Sequence, residues 1–221
     1  MTRPRAAISW SGGKDSLAAL ASVRNDLEVV AALTMFDEGG QRSRSHGLRP
    51  GLIAAQAERL GLHPVAARCR WDNYDAAFTT ALRRLACDGI THVVFGDLLF
   101  PEHRAWAEQR CAEAGMTAVE PLWGTSTSIV FDTFVASGAV AVMVTIREPW
   151  LDESWLGRPL TADMKTEFVA RGIDPCGENG EYHTAVVDSA LFSSPIEVTA
   201  GVRVRRGDCV ALDLIPDAQR G

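Results

Sequence analysis

The sequence predicts an α/β fold built on a doubly wound parallel sheet, with a smaller C-terminal, substrate-facing part. Three observations predict it. Short apolar runs alternate with amphipathic stretches of helical spacing between residues 6 and 146. A glycine turn, Gly12-Gly13, follows the first apolar run directly and opens into a helix. Beyond Arg147 the alternation stops, and the chain becomes Trp-rich and irregular before ending on a hairpin pattern.

In chain order, residues 6–10 form a short apolar run closed by glycines, which reads as a buried strand. Asp15 and Ser16 are expected to cap the next helix, whose apolar positions are Leu17, Leu20 and Ala21. Residues 29–36 are β-branched and apolar, a second strand. The stretch 50–60 places Ile53, Ala57 and Leu60 on one helical face, and 64–69 reads as a third strand. Phe78, Ala81, Leu82 and Leu85 give a helix over 73–87. A fourth strand over 91–95 stops at Gly96-Asp97, followed by a helix over 102–114 and a fifth strand over 117–122. A helix over 128–136 and a strand over 139–146 come next. A short helix is expected at 162–171, a polar loop at 177–184, and a terminal hairpin from 196–204 and 209–214 around Arg205-Arg206-Gly207-Asp208. The chain is accordingly divided into residues 1–124, a nucleotide-type domain, and residues 125–221, a smaller part that faces substrate; the strand at 139–146 fits either side.

Bulk properties narrow the function classes. A chain of 221 residues is long enough to bury a core without staples. Hydrophobic residues at 47% and charged residues at 23% are ordinary for a soluble domain. The net charge of −6 speaks against a broad nucleic-acid groove. No run approaches the roughly 20 apolar residues that span a bilayer. Met-Thr-Arg-Pro-Arg runs straight into a strand with no signal-type apolar segment before it. Five scattered cysteines, never in a C-x-x-C pair, argue against a disulfide framework and a zinc ribbon, so a cytoplasmic location is expected. Only Lys14 and Lys165 are lysines among 22 basic residues, a bias that fits a GC-rich, bacterial coding genome.

Two constellations carry chemistry. In Ser11-Gly12-Gly13-Lys14-Asp15-Ser16, the glycines allow a tight turn with bare N–H groups, and the following helix adds its positive dipole end. Ser11 and Ser16 supply hydroxyls and Lys14 a point charge for phosphate. The spacing is neither a Walker A loop nor a dinucleotide G-x-G-x-x-G. The alternative is a strand, turn and capped helix with no ligand. The second constellation is Cys176-Gly177-Glu178-Asn179-Gly180-Glu181-Tyr182-His183-Thr184. Carboxylates and an imidazole this close can orient an amine, move a proton or recognise a polar substrate. A solvated turn is equally good chemistry for G-E-N-G.

S-G-G-x-D-S after a first strand resembles the PP-loop of the N-type ATP pyrophosphatases, whose fold is adenine nucleotide alpha hydrolase-like. That resemblance implies cleavage of ATP between its α and β phosphates, with Mg2+ bridging the phosphates. C-G-E-N-G-E-Y-H-T is similar to the signature of the diphthine–ammonia ligase family, whose members contain a diphthamide synthase domain. Phe95-Gly96-Asp97 with Glu102, Arg104 and Glu108, then Glu120-Pro121-Leu122-Trp123 and Trp155-Leu156-Gly157-Arg158, resemble further family segments in the same order, from about residue 6 to residue 192.

The family joins ammonia to a carboxylate of a modified histidine, diphthine, on elongation factor 2, by way of an acyl-adenylate. By this resemblance Ser11, Gly12, Gly13, Lys14, Asp15 and Ser16 bind ATP. The segment from Gly177 to Thr184, with Arg104, faces the acceptor. Lys14 and Asp15 serve the departing pyrophosphate, Asp97 holds magnesium or water, and Glu178, Glu181 or His183 positions ammonia. Two departures stand out. Tyr182 occupies a place where the family often has phenylalanine, and the additional C-terminal domains of animal and fungal members are not in this sequence. In a bacterial chain diphthamide itself should be absent, which implies a different carboxylate acceptor.

Two other classes stay open. One is a non-catalytic ATP-binding sensor, against which the second polar loop speaks. The other is a PP-loop RNA-modifying enzyme, against which the acidic charge and the lack of C-x-x-C speak. A homodimer is among the partners open to the leading reading. Cys176 as a nucleophile and His46 in a loop closing over a nucleotide are further candidates, each beside a purely structural reading.

Overall fold

A computed structural model describes residues 2–217, so Met1 and residues 218–221 lie outside the description. Five strands form the first sheet: β1 (Arg5–Ser9), β2 (Glu28–Phe36), β3 (His63–Arg68), β4 (His92–Val94) and β5 (Thr117–Val119). Their order is β3-β2-β1-β4-β5, and each neighbouring pair is parallel. The order reverses between β1 and β4, where such sheets open a crevice beyond the carboxyl ends of the strands.

Strand alternation sorts the two faces. Ala6, Ile8, Ala32 and Val94 share a core with α1 (Lys14–Val23) and α2 (Pro50–Arg59). Ala7, Leu33, Met35, Val93 and Phe95 pack with α3 (Tyr74–Cys87) and α4 (Pro101–Glu113) on the opposite face. Both faces are covered by helices, which is why these strands read as continuous apolar runs. The doubly wound parallel sheet is thus as the sequence predicts.

A second sheet follows: β6 (Val140–Arg147), β7 (Tyr182–Asp188), β8 (Val198–Arg206) and β9 (Cys209–Pro216), in the order β7-β6-β9-β8 with antiparallel neighbours. The expected terminal hairpin is β8 and β9. The strand near 139–146 belongs to this second sheet. Two further helices, α5 (Thr127–Ala136) and α6 (Met164–Ala170), contribute Phe131 and Phe168, both fully buried in the core shared with α1 and α2.

Two local readings need correction. Asp15 and Ser16 do not cap α1; they lie in its first turn, and Gly13 is the N-cap, with extended backbone. The Ser16 hydroxyl instead donates to Gly13 O at 2.9 Å. The first amide of the helix is satisfied from elsewhere: Lys14 N–H donates to Thr184 Oγ1 at 3.1 Å, on a residue 170 positions away. The polar loop expected at 177–184 ends early, because β7 begins at Tyr182. Its polar residues continue into Ala185, Val186 and Val187, and their backbone groups pair with β6.

The second sheet is bonded directly to the glycine turn. The Val186 amide donates to Gly12 O at 2.8 Å. Gln56 on α2 is 0% exposed. It accepts from Trp10 Nε1 at 2.9 Å and donates from Nε2 to Gly12 O at 3.0 Å and to Val186 O at 2.7 Å. One side chain therefore satisfies three buried groups, two from the turn after β1 and one from β7. Gln56→Leu should lower unfolding stability by about 2–4 kcal/mol, because each orphaned buried group carries a desolvation cost. Urea denaturation measures this; a loss under about 0.5 kcal/mol would show that the hub contributes little.

Candidate functional site

The site begins at the turn after β1. Gly12 has φ +82, in the left-handed region, and a Cβ there would sit 2.7 Å from Gln56 Oε1 and from Leu48 Cδ1. A Cβ on Gly13 would fall 2.2 Å from His46 Cε1. A Cβ on Gly96 would lie 2.9 Å from the Asp15 backbone, so the bare glycine after β4 lets that strand end close against α1.

Lys14 is the first residue of α1, yet its side chain is only 4% exposed. Nζ donates to Asp15 Oδ2 at 2.8 Å and to Cys176 O, and it stands 5.2 Å from the centroid of the Tyr182 ring. A cation at a helix N-terminus faces the positive end of the dipole. Burial is the largest influence and opposes the charge, but the charge and hydrogen bond of Asp15, together with Tyr182 and Cys176, outweigh it and keep Lys14 protonated, above its ordinary value.

The segment 174–184 is built from inside. Glu181 is 1% exposed and accepts from the amides of Asp174 and Asn179 and from Asn179 Nδ2, each at 3.0 Å. The Tyr182 hydroxyl donates to Pro175 O, and its ring lies 5.2 Å from Phe168. Cys176 donates its thiol to Thr127 O at 3.2 Å, and burial pushes that thiol up to about 12, which removes the thiolate a nucleophile needs. Glu178 differs from Glu181 in lining the cavity. Burial, then the charge of Asp15, raises its carboxyl to about 8.

A third segment, residues 37–49, arches from β2 to α2. Its Arg44 guanidinium stands 4.8 Å over Trp71 and donates to Cys69 O, while Nε is buried with no partner among the described residues. His46 stacks on His183 with ring centroids 4.7 Å apart and an interplanar angle of 24°. Its Nδ1 lies 2.8 Å from Thr184 O. Burial holds His46 down at about 4, and burial together with His46 holds His183 at about 3, so both imidazoles are neutral at pH 7.

These three segments enclose a cavity of about 740 Å3 at the carboxyl ends of β1, β2 and β4. Of the residues expected at the site, Ser11, Lys14, Asp15, Ser16, Asp97, Gly177, Glu178, Gly180, Tyr182, His183 and Thr184 line it. Gly12 and Gly13 shape the turn beneath, and Asn179 and Glu181 are turned into their own loop. Arg104 is not brought in; it pairs with Glu108 at 2.9 Å and sits 5.2 Å over Trp123. Asp97 faces His103 at 3.2 Å, and burial raises its carboxyl. Among the described residues no group of three or more His, Cys, Asp or Glu is gathered as a metal centre.

Sequence reasoning missed Gln56, Arg44 and the aromatic wall of Trp71, Tyr74 and Trp106, all but the first of which line the cavity. It placed His46 in a loop that can close over a nucleotide, and the ring indeed stands at the turn. A polar Gln56 beside Ile53, Ala57 and Leu60 was the available signal for the buried hub.

A parallel sheet of this order, whose first strand opens into S-G-G-x-D-S, is consistent with the PP-loop superfamily of the N-type ATP pyrophosphatases. Residues 4–118 match the Diphthamide synthase N-terminal domain and residues 126–211 the Diphthamide synthase C-terminal domain, so the chain belongs to the diphthamide synthase domain family. It is similar to the diphthine–ammonia ligase of Schizosaccharomyces pombe, 28% identical over 215 residues that make up 86% of this chain and 35% of that protein. The Mus musculus diphthine–ammonia ligase is 24% identical over 232 residues, 90% of this chain and 85% of that one. The Bos taurus protein of the same name is 23% identical over 141 residues, 61% and 52% of the two chains. The chain thus spans about a third of the fission-yeast relative and about half of the bovine one. A solved structure, a predicted subunit of tRNA methyltransferase from Methanocaldococcus jannaschii, superposes with a TM-score of 0.43 at 15% identity over 84% of this chain and 98% of that one.

The raised Glu178 carboxyl has a consequence for stability. Its value is 4.5 unfolded and about 8 folded, so the native state binds this proton more tightly. The associated stability is fully present below pH 4.5 and is lost as pH rises through about 8. Glu178→Gln, which mimics the protonated form, should match the wild type in acid and exceed it by about 2 kcal/mol at alkaline pH, a figure discounted for partial exposure. Thermal unfolding of both proteins across pH 5–9 checks this; a difference that does not grow with pH would contradict it.

Proposed function

We propose that the cavity binds ATP with Mg2+, transfers AMP to a carboxylate, and lets ammonia open the acyl-adenylate to an amide. One observation carries the reading: the glycine turn and the 174–184 segment are joined, through Lys14 Nζ to Cys176 O and the Lys14 amide to Thr184 Oγ1, around one cavity. A phosphate-type loop and a proton-handling loop thereby share a single site.

The residues present fit the group. The cavity volume suits a nucleotide-sized ligand. Leu33, Met35, Trp71 and Tyr74 offer apolar and aromatic surface, and the turn and α1 offer amides. Asp15, Asp75, Asp97 and Glu178 also line it, while Lys14 is already paired. Such a wall repels a bare triphosphate and favours one carried with a divalent, oxygen-liganded cation. Asp15, whose Oδ1 is buried without a partner among the described residues, and Asp97 would hold the magnesium. When bound, the ion neutralises charge on the phosphates.

Ser11 and Ser16 would hold phosphate oxygens by their hydroxyls, and Lys14 would supply positive charge at the turn as pyrophosphate leaves. In the second half-reaction the amine nitrogen forms a bond to the acyl carbon, and the bond to the AMP oxygen breaks with its electron pair on AMP. Glu178 in its carboxylate form takes the proton from nitrogen, its raised value placing it close to working pH. His183, neutral in the same cavity, would orient the amine. Glu181 would act by holding the loop, since its oxygens are turned inward. The acceptor would be the carboxylate of diphthine named in the relatives, on elongation factor 2, or another carboxylate in a bacterial setting. No helix among the described residues is long and apolar enough to cross a membrane. With all five cysteines free, a cytoplasmic location belongs to the same reading.

Calorimetric titration with MgATP should give binding in the wild type and none in a folded Gly13→Asp, Asp15→Ala double variant. Release of AMP and pyrophosphate should then require ammonium and a carboxylate acceptor. Glu178→Gln should lower turnover about 100-fold or more. A folded wild type that gives no heat with MgATP would end the reading. Binding without AMP release would make the chain a sensor, and a salt-sensitive tRNA complex would favour RNA modification.

A further inference from the structure

Two arginines and one buried aspartate tie the 37–49 segment to the far sheet. Arg42 Nη1 donates to Asp213 Oδ1 at 2.5 Å, and Arg49 Nε donates to Oδ1 and Oδ2 at 2.8 and 2.9 Å. The Asp213 side chain, on β9, is 3% exposed, while Arg42 and Arg49 keep 31% and 37% exposure, so these charge-assisted bonds are buried at the carboxylate end. Burial alone would raise the Asp213 carboxyl, but the hydrogen bonds from Arg49 and Arg42 hold it at about 2. The segment also closes on itself. Ser43 N–H donates to Leu48 O at 2.9 Å and Leu48 N–H to Ser43 Oγ at 3.0 Å. It is a compact surface loop with Arg42 near one root and Arg49 at the other.

Between those roots stand the three residues of the loop that line the cavity, Arg44, Ser45 and His46. Thr184 O can only accept, so His46 Nδ1 carries the hydrogen and Nε2 is left as the acceptor of the ring. Asp213 is not among the residues that line the cavity, and it lies past residue 211, where the match to the family ends. A loop free at its roots must be ordered when a ligand binds, whereas one pinned in advance avoids that cost.

We propose that Asp213 is a positioning residue for the cavity: by gripping Arg42 and Arg49 it holds Arg44 over Trp71 and His46 over Gly13 and Thr184. The placement of His46 follows from contacts alone; only the effect on nucleotide affinity rests on the function proposed above.

The test records long-range 1H–15N correlations of the imidazoles without nucleotide, in wild type, Asp213→Asn and Asp213→Glu. Wild type should show His46 protonated at Nδ1 and shifted by the ring current of His183. Asp213→Asn should lose both signatures, and Asp213→Glu, which keeps the charge, should recover part of them. MgATP should bind about tenfold more weakly to Asp213→Asn, as expected when ordering of a loop is moved into the binding step. Should Asp213→Asn fail to fold, Arg42→Ala and Arg49→Ala, each leaving one guanidinium on Asp213, carry the same measurement. An unchanged His46 spectrum in a folded variant overturns the proposal, whatever happens to nucleotide binding. A shifted His46 spectrum with no MgATP binding in any of the proteins upholds the positioning role and removes the ATP reading.

Discussion

The buried ammonium of Lys14 is the constraint around which the site is assembled. It sits where a helix dipole opposes it and where water is excluded, so it must find negative partners within the protein. Asp15 supplies one from the same turn, and Cys176 O supplies another from a segment more than 160 residues away. That second partner requires the 174–184 loop to lie against the glycine turn. The loop in turn requires Glu181 inside it and β7 beyond it. The ion pair with Asp15 is local, so it is the bond to Cys176 O that ties the 174–184 loop to the glycine turn.

The same enclosure sets the protonation of the cavity. Desolvation acts with opposite sign on bases and acids: it lowers His46 and His183 and raises Glu178 and Asp97. Lys14 adds to the depression of both imidazoles, and Asp15 adds to the elevation of Glu178. Near neutral pH the walls therefore hold neutral imidazoles and a carboxyl close to its titration point. Titratable groups pushed in opposite directions by one environment are a mark of sites that move protons. An arriving cation would reverse part of this by lowering the carboxyls again.

Local pattern made the parallel sheet legible. Residues 29–36 and 73–87 carry periodicities that neighbours cannot counterfeit, and they appear as β2 and α3 with ends shifted by at most one residue. The misreadings arose where a distant partner replaces a local one. Asp15 and Ser16 look like caps, but the amide that needs capping is served by Thr184. Residues 182–184 look like loop because their side chains are polar, yet their backbone is paired with β6 and those side chains serve the site. Gln56 and Asp213 give almost no local sign, since a polar residue on an apolar face acquires meaning only from what meets it. The chemistry-bearing motifs were legible for another reason: glycines with hydroxyls and clustered carboxylates are unusual compositions whatever the fold.

The cavity has three walls from three stretches of chain, and each is fastened by a different device. Neutral hydrogen bonds through Gln56 fasten the turn, the Lys14 ammonium fastens the 174–184 loop, and the Asp213 carboxylate fastens the 37–49 loop. None of these contacts lies within the parallel sheet alone. The shape of the cavity is therefore a property of the interface between the sheets, and a ligand that touches both the turn and the 174–184 loop must add its binding energy to that interface. Conversely, any change that loosens the docking of β7 weakens all three walls together, because the Lys14 amide and the His46 ring both reach Thr184 and the Gly12 carbonyl accepts from Val186, two positions along the same strand.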